Sequence, residues 1–335
     1  MPLARKLRLR EIKNQIIPIG FFAIVVILTI FLIAVGVSII FKVPIIHGIL
    51  FGSILAATDA AAVAAIFKRF PIPKRLNLII EGESLFNDAT GVISFNVIKG
   101  IIFSNIPFSL VDTSLSFLWS MLGAAALGSI IGYAGGVVLK KWHADDHVNF
   151  TLSIALAIGG YIIGDHVLHV SGVVTTVFTA LLMLRTHKET FIGIGRLFNM
   201  YWDYLGFITN SILFFLIGIP VFSLFLLQSG ALWVLIIIAP FVIVMISRAI
   251  VIYGGSIVLR IANVHLPLQW QNILTLGGLR GGICVALVLS LPAEYEFKNL
   301  FVTLTISLIA INLIINPILL DRYLKKSKIM SQQVS

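Results

Sequence analysis

Long apolar runs alternate with short polar, mostly basic stretches from one end of the chain to the other. At roughly 20 residues per bilayer-crossing helix, these runs predict about ten spans. They fall at 16–41, 45–67, 78–104, 115–139, 149–168, 170–185, 204–227, 230–259, 268–291 and 299–320. The alternating strand-length segments of a membrane β-barrel are missing, so the pattern predicts an all-α polytopic membrane protein. Asp165-His166 and His169 interrupt the pair 149–168 and 170–185. The first run is too long for a signal-peptide core and reads as a true span.

Composition agrees with the pattern. The 335 residues are 59% hydrophobic and 11% charged, with a mean hydropathy of +1.06. No soluble domain of this size hides so much apolar surface. The net charge of +10 would point to nucleic acid in a soluble protein, but here the basic residues lie in the connections between runs. They gather in every second connection: Lys68, Arg69, Lys74 and Arg75, then Lys140 and Lys141, then Arg185, Lys188 and Arg196, then Arg260. The amino-terminal arm and the tail after Leu320 are basic too, whereas the alternate connections hold only Lys42 and Lys298. That asymmetry predicts a multi-pass protein with both termini in the cytoplasm, and no nucleic-acid partner. The single cysteine, Cys284, excludes an internal disulfide and any multi-cysteine metal site.

Two spans carry breaks in their pattern. Gly277-Gly278-Leu279-Arg280-Gly281-Gly282 is a poor continuous helix, because glycine weakens helices. In 45–67, Gly52 and the Thr58-Asp59 step ahead of a run of alanines point to a second interruption. Broken helices at membrane depth line cavities and turn their freed ends toward ions. Arg248 and Arg280 lie deep within spans and need a carboxylate, backbone carbonyls or water. Lys99, near the end of its span, can reach the interface.

The acids carry the chemistry. Glu81-Gly-Glu83-Ser84-Leu-Phe-Asn87-Asp88 lies in the run 78–104, and Asp59 in its neighbour. An ionisable group inside a span is a functional-site hypothesis by default. Ser84, four residues before Asp88, shares its helical face. Asp88, Asp59, Thr58, Ser84 and the Asn87 amide together offer hard oxygens, which suit a small hydrated cation. A carboxylate in such a cavity holds a proton or a cation, but not both well. Competition of that kind, with alternating access, is the minimum machinery of cation/proton exchange. The neutral Asn87 beside Asp88 leaves fewer charges to carry, so one proton balances one monovalent cation. Glu83 needs a buried partner, and Arg248 and Arg280 are the candidates. Glu81 is expected to be wet.

These residues resemble those of the monovalent cation:proton antiporter family, in its sodium/proton exchanger branch of NhaP and NHE type. The blocks that carry the likeness are Gly52 to Asp59, Phe67 to Arg75, Glu81 to Asp88, Ser247-Arg248-Ala249 and Gly278 to Gly282. They occur in the family's order over most of the chain. The resemblance implies an inverted-repeat fold with a dimer domain and a moving core, working as a homodimer in the plasma membrane with lipid around it. In that scheme residues 16–104 are first-repeat core helices, 115–185 dimer-domain helices, 186–227 a linker helix, 230–320 second-repeat core helices and 321–335 a short tail. Asp88 is then the ion and proton carrier. Thr58, Asp59 and Ser84 line the cation site, with Asn87 the neutral half of the Asn-Asp pair, and Glu83 pairs with Arg248. Arg280 is left with two readings, stabiliser of the second break or charge compensator at the site. The cargo is Na⁺ against H⁺, with K⁺ and Li⁺ as alternatives. No cofactor is implied, and no metal beyond the transported cation.

Two departures qualify the likeness. Relatives carry about thirteen spans, and the arm around Leu7 to Ile12 resembles the loop before the family's fourth, which implies that roughly three leading helices are missing here. Ala60 stands where many relatives have proline, which predicts a softer break.

Other classes fit less well. A passive channel would build its filter from a repeated ring of acids, and none is evident. The chain has no zinc-protease motif, phosphate loop or nucleophile elbow, so no enzyme is expected. A truncated, inactive relative is a further alternative. The His143–His147 stretch reads as a solvated loop, and Asp165-His166 with His169 as a pore-edge or interface feature, in preference to metal sites.

Overall fold

The computed structural model describes residues 16–67, 69–70, 72–104, 109–142, 146–186, 198, 200–209, 211–212, 215, 231–261 and 264–327. Among them there is no strand. The helices are α1 (Ile16–Phe41), α2 (Ile45–Ile54), α3 (Ala60–Phe67), α4 (Lys74–Phe103), α5 (Leu110–Trp142), α6 (Asp146–Ile162), α7 (Gly172–Thr186), α8 (Ala231–Ile261), α9 (Leu268–Leu276), α10 (Gly282–Leu289) and α11 (Lys298–Lys326). Most of the linker expected at 186–227, and of the span at 204–227, lies outside the described residues, as does the stretch 143–145.

Proline sets three of the starts. Pro44, Pro73 and Pro267 precede α2, α4 and α9, each with φ at −56°, the value that the pyrrolidine ring imposes. Pro73 explains why α4 begins at Lys74 and not at 78. The last helix runs on to Lys326, so the tail expected from 321 opens in helix, with a Lys325–Asp321 ion pair of 2.6 Å one turn apart. Among the described residues, four stretches are long and apolar enough to cross a bilayer: Ser114–Lys141, His147–Val167, Val234–Ile261 and Lys298–Lys326. α4 has the length as well, with 30 residues that rise about 45 Å. It differs in keeping Glu81, Glu83, Ser84 and Asn87 buried.

Helices α5 to α7 form one compact unit, and α1 to α4 with α8 to α11 form another. Within the first, α5 packs along α7. A Cβ on Gly128 or Gly132 would lie 2.3 Å from the carbonyl oxygen of Thr175 or Thr179. Small residues spaced four apart permit this backbone approach, which dispersion then stabilises. The Thr175 and Thr179 hydroxyls donate four residues back, to the carbonyls of Ser171, just ahead of α7, and Thr175, at 3.0 and 2.8 Å, so neither is left unpaired at the contact. The interruption predicted at Asp165-His166 takes the form of a π-helical turn, Ile163–Val167. His169, at φ 52°, then redirects the chain into α7.

Among the described residues the second unit has, beside a small cluster of Val26, Ile30 and Ala56, two large apolar cores. One gathers Leu50, Phe51 and Ile54 of α2, Val285 and Val288 of α10, and Phe301 and Leu304 of α11. The other gathers Val63 of α3, Leu76 and Ile79 of α4, and Ile273 and Leu274 of α9. Each broken helix therefore gives one half to each core. Both interruptions, and the polar middle of α4, fall between the two cores.

The first break differs from expectation in one detail. Gly52 lies inside α2, and its Cβ would stand 2.3 Å from the Ile30 carbonyl. It lets α1 approach, and the chain unwinds only after Ile54. With alanine at position 60 the break is fully formed: α3 starts at Ala60 after an unwound stretch at 55–59.

Candidate ion site

The two unwound stretches are hydrogen-bonded to each other. The Asp59 N–H donates to the Leu279 carbonyl at 2.7 Å, and the Arg280 guanidinium donates through Nη1 to the Ala57 carbonyl at 3.3 Å. Cys284, in the first turn of α10, directs Sγ at the same carbonyl, 3.5 Å away. The breaks thus supply one another with the partners that a continuous helix would have provided. Arg280 is 1% exposed and, from within the second break, bonds to the first.

α4 lies against this junction. Asp88, half-buried midway along α4, accepts the Thr58 N–H on Oδ1 at 3.0 Å. Ser84, one turn earlier, donates Oγ–H to the Thr58 carbonyl at 2.5 Å and accepts the Ala60 N–H at 3.2 Å. Its hydroxyl is engaged in splinting the break. Asp59 accepts the Ala62 N–H on Oδ1 at 3.2 Å, the N-cap contact that satisfies an otherwise orphaned donor of α3. The Asp59 and Asp88 carboxylates feel each other electrostatically, and Arg280 acts on Asp88.

Arg248 pairs with Glu83. Their closest approach is 2.9 Å, from Nη1 to Oε1, with a second bond of 3.2 Å from Nη2 to Oε2. Nε of Arg248 donates to the Leu274 carbonyl at 2.9 Å, at the end of α9. Both side chains are buried, and the two-pronged geometry is what makes such a pair tolerable away from water. Asn87 joins this pair to the first break, its Nδ2 donating to Glu83 Oε1 at 3.2 Å and to Thr58 Oγ1 at 3.4 Å.

All eight candidate residues, Thr58, Asp59, Glu83, Ser84, Asn87, Asp88, Arg248 and Arg280, belong to this one junction. Of the oxygens on offer, the Ala57, Thr58 and Leu279 carbonyls already accept hydrogen bonds. The two carboxylates and the Thr58 hydroxyl each accept a hydrogen bond too, but charge and spare lone pairs make them the natural donors to a small cation. Asp59, Asp88 and Arg280 all belong to the junction, with Arg280 bonded to the Ala57 carbonyl; their formal charges sum to minus one, which one proton or one monovalent cation neutralises.

Glu81 corrects an expectation. It is 2% exposed, not wet, and accepts the Asn77 amide on Oε1 at 2.7 Å. The sequence reading also missed Asn312 of α11, fully buried, whose Oδ1 accepts the Arg280 backbone N–H at 3.3 Å. The signal was present as two asparagines, Asn312 and Asn316, one turn apart in an apolar run.

The profile described as "Sodium/hydrogen exchanger, transmembrane" matches residues 3–326. The chain belongs to the sodium/hydrogen exchanger family. It is 30% identical over 332 residues to the Na(+)/H(+) antiporter ApNhaP of Aphanothece halophytica, covering 96% of this chain and 62% of that one. It is 33% identical over 279 residues to the Na(+)/H(+) antiporter NhaP of Pseudomonas aeruginosa, covering 82% of this chain and 64% of the relative. The chain thus spans less than two thirds of the length of these relatives. Its fold matches that of the sodium proton antiporter MjNhaP1 from Methanocaldococcus jannaschii with a TM-score of 0.80 at 19% identity, over 97% of this chain and 82% of that one. This exchanger-family chain is a multi-pass membrane protein of the antiporter fold.

Proposed function

We propose that the protein is a secondary antiporter exchanging one proton for one monovalent cation, Na⁺ first, at Asp88 and Asp59. The observation that carries this reading is the meeting of the two unwound stretches between two apolar cores, where Asp88 and Asp59 both accept N–H groups of the first break and Arg280 bonds to the Ala57 carbonyl, so that the formal charges of the two acids and the arginine sum to minus one. A site of that charge is neutral with either cargo and repels an empty crossing, which is what coupling requires. The names of the relatives support Na⁺ as the cation.

In this reading Thr58 completes the cation's shell and Asn87 keeps the site from acquiring a further charge. Glu83 with Arg248 holds α4 to α9 through the transport cycle. Alternating access comes from motion of the unit holding the breaks, with the α5–α7 unit forming the dimer face in a plasma membrane and both termini in the cytoplasm. The positive-inside distribution of Lys and Arg supports that orientation.

The test is reconstitution of the purified chain into liposomes with an imposed pH gradient. Saturable collapse of the gradient on adding Na⁺, with no conductive current, is expected. Conductive current without proton coupling would replace exchange by a channel, and collapse driven by K⁺ alone would change the cargo.

A further inference from the structure

Asn312 stands outside the residues that touch either acid, yet it holds the other side of the second break. The unwound stretch Gly277–Gly281 is bonded on one side to the first break, through Asp59 N–H to Leu279 and Arg280 Nη1 to Ala57. On the other side the Asn312 amide oxygen accepts the Arg280 backbone N–H. We infer that Asn312 is a positioning residue for the cation site, fixing the second break so that the Arg280 side chain reaches Ala57 and its charge stays at a set distance from Asp59 and Asp88. This inference rests on the exchange reading above.

Three observations of burial and hydrogen bonding carry it, and one of charge adds to them. Arg280 N–H is a buried donor in a segment with no helical acceptor, so it requires a side-chain oxygen. Asn312 is 0% exposed, and in an apolar helix a leucine would fill the same space without a polar group to satisfy. Its Nδ2 has no hydrogen-bond partner among the described residues, so the amide is half used, and that half is the bond to the break. Electrostatically, Arg280 acts on both Asp88 and Glu83. A shift of its backbone therefore changes the electrostatic potential that a bound cation meets.

Cys284 provides a readout that needs no transport. It is the sole cysteine, it is buried, and its Sγ rests on the Ala57 carbonyl at the junction of the breaks. The full chain in membranes is labelled with N-ethylmaleimide, and Na⁺-dependent exchange is measured for the wild type, Asn312→Ala and Asn312→Asp. Asn312→Ala is expected to label about tenfold faster, because the junction opens locally, and to raise the apparent KM for Na⁺ about tenfold with a smaller change in maximal rate. Asn312→Asp keeps the acceptor oxygen and is expected to label as slowly as the wild type. Should Asn312→Ala fail to accumulate in the membrane, Asn312→Ser, with a shorter acceptor, takes its place with an intermediate labelling rate expected. Wild-type labelling and wild-type KM in Asn312→Ala would overturn the inference, and so would faster labelling with an unchanged KM. A wild-type protein without exchange would defeat the proposed function instead, and the labelling rates alone would then decide whether Asn312 holds the break.

Discussion

The backbone N–H of Asp59 donates to the carbonyl of Leu279 across 2.7 Å, tying the unwound stretch of one broken helix to that of the other. Because each break completes the other's hydrogen bonding, neither can be altered alone. Damage at the second break should therefore be read at Asp59, and damage at the first at Arg280.

Gly278 offers the sharpest steric test. A Cβ there would lie 2.2 Å from Nε of Arg248, in a guanidinium already fixed by Glu83 and the Leu274 carbonyl. Gly278→Ala must push Arg248 off its partners. Breaking a buried pair costs about 3–5 kcal/mol, so a marked fall in melting temperature in detergent is expected. An unchanged melting temperature would show that the guanidinium has room that the structure does not give it.

Glu83→Gln leaves Arg248 charged and without its carboxylate. The single change is expected to destabilise the protein by about 3–5 kcal/mol, while Glu83→Leu with Arg248→Met recovers most of that loss, because two apolar groups leave no charge stranded. A double-mutant cycle in thermal unfolding measures the coupling. Additive losses would mean that the two residues do not act as a pair.

Asn87→Asp removes the two N–H donors that reach Glu83 and Thr58 and sets a carboxylate beside Glu83. A second titrating acid next to Asp88 carries an extra charge through the cycle. Exchange by this variant should respond to an imposed membrane potential, whereas the wild type should not. Voltage-insensitive exchange in the variant would remove Asn87 from the charge balance.

Much of this was legible in the residues themselves. Four glycines in six around Arg280 announced the second break, and every candidate at Thr58, Asp59 and Glu83 to Asp88 falls at one junction. Gly52 was harder. Whether a glycine breaks a helix or admits a neighbouring one depends on tertiary contact, here with Ile30 of α1, and that contact has no local signature. Glu81 was misjudged for a similar reason: hydropathy cannot show that Asn77, one turn earlier, supplies its partner. Asn312 was overlooked because a neutral amide in an apolar run attracts less notice than an acid, although a buried amide needs partners as well.

The central claim is that proton and cation compete for Asp88. The most direct measurement is Na⁺-driven collapse of a pH gradient in everted vesicles, comparing the wild type with Asp88→Ala and Asp88→Asn at equal expression. Both variants keep the membrane fold within reach but lose the charge that binds either cargo. The account predicts saturable exchange in the wild type and none in either variant. Exchange at wild-type rates in Asp88→Ala would contradict it.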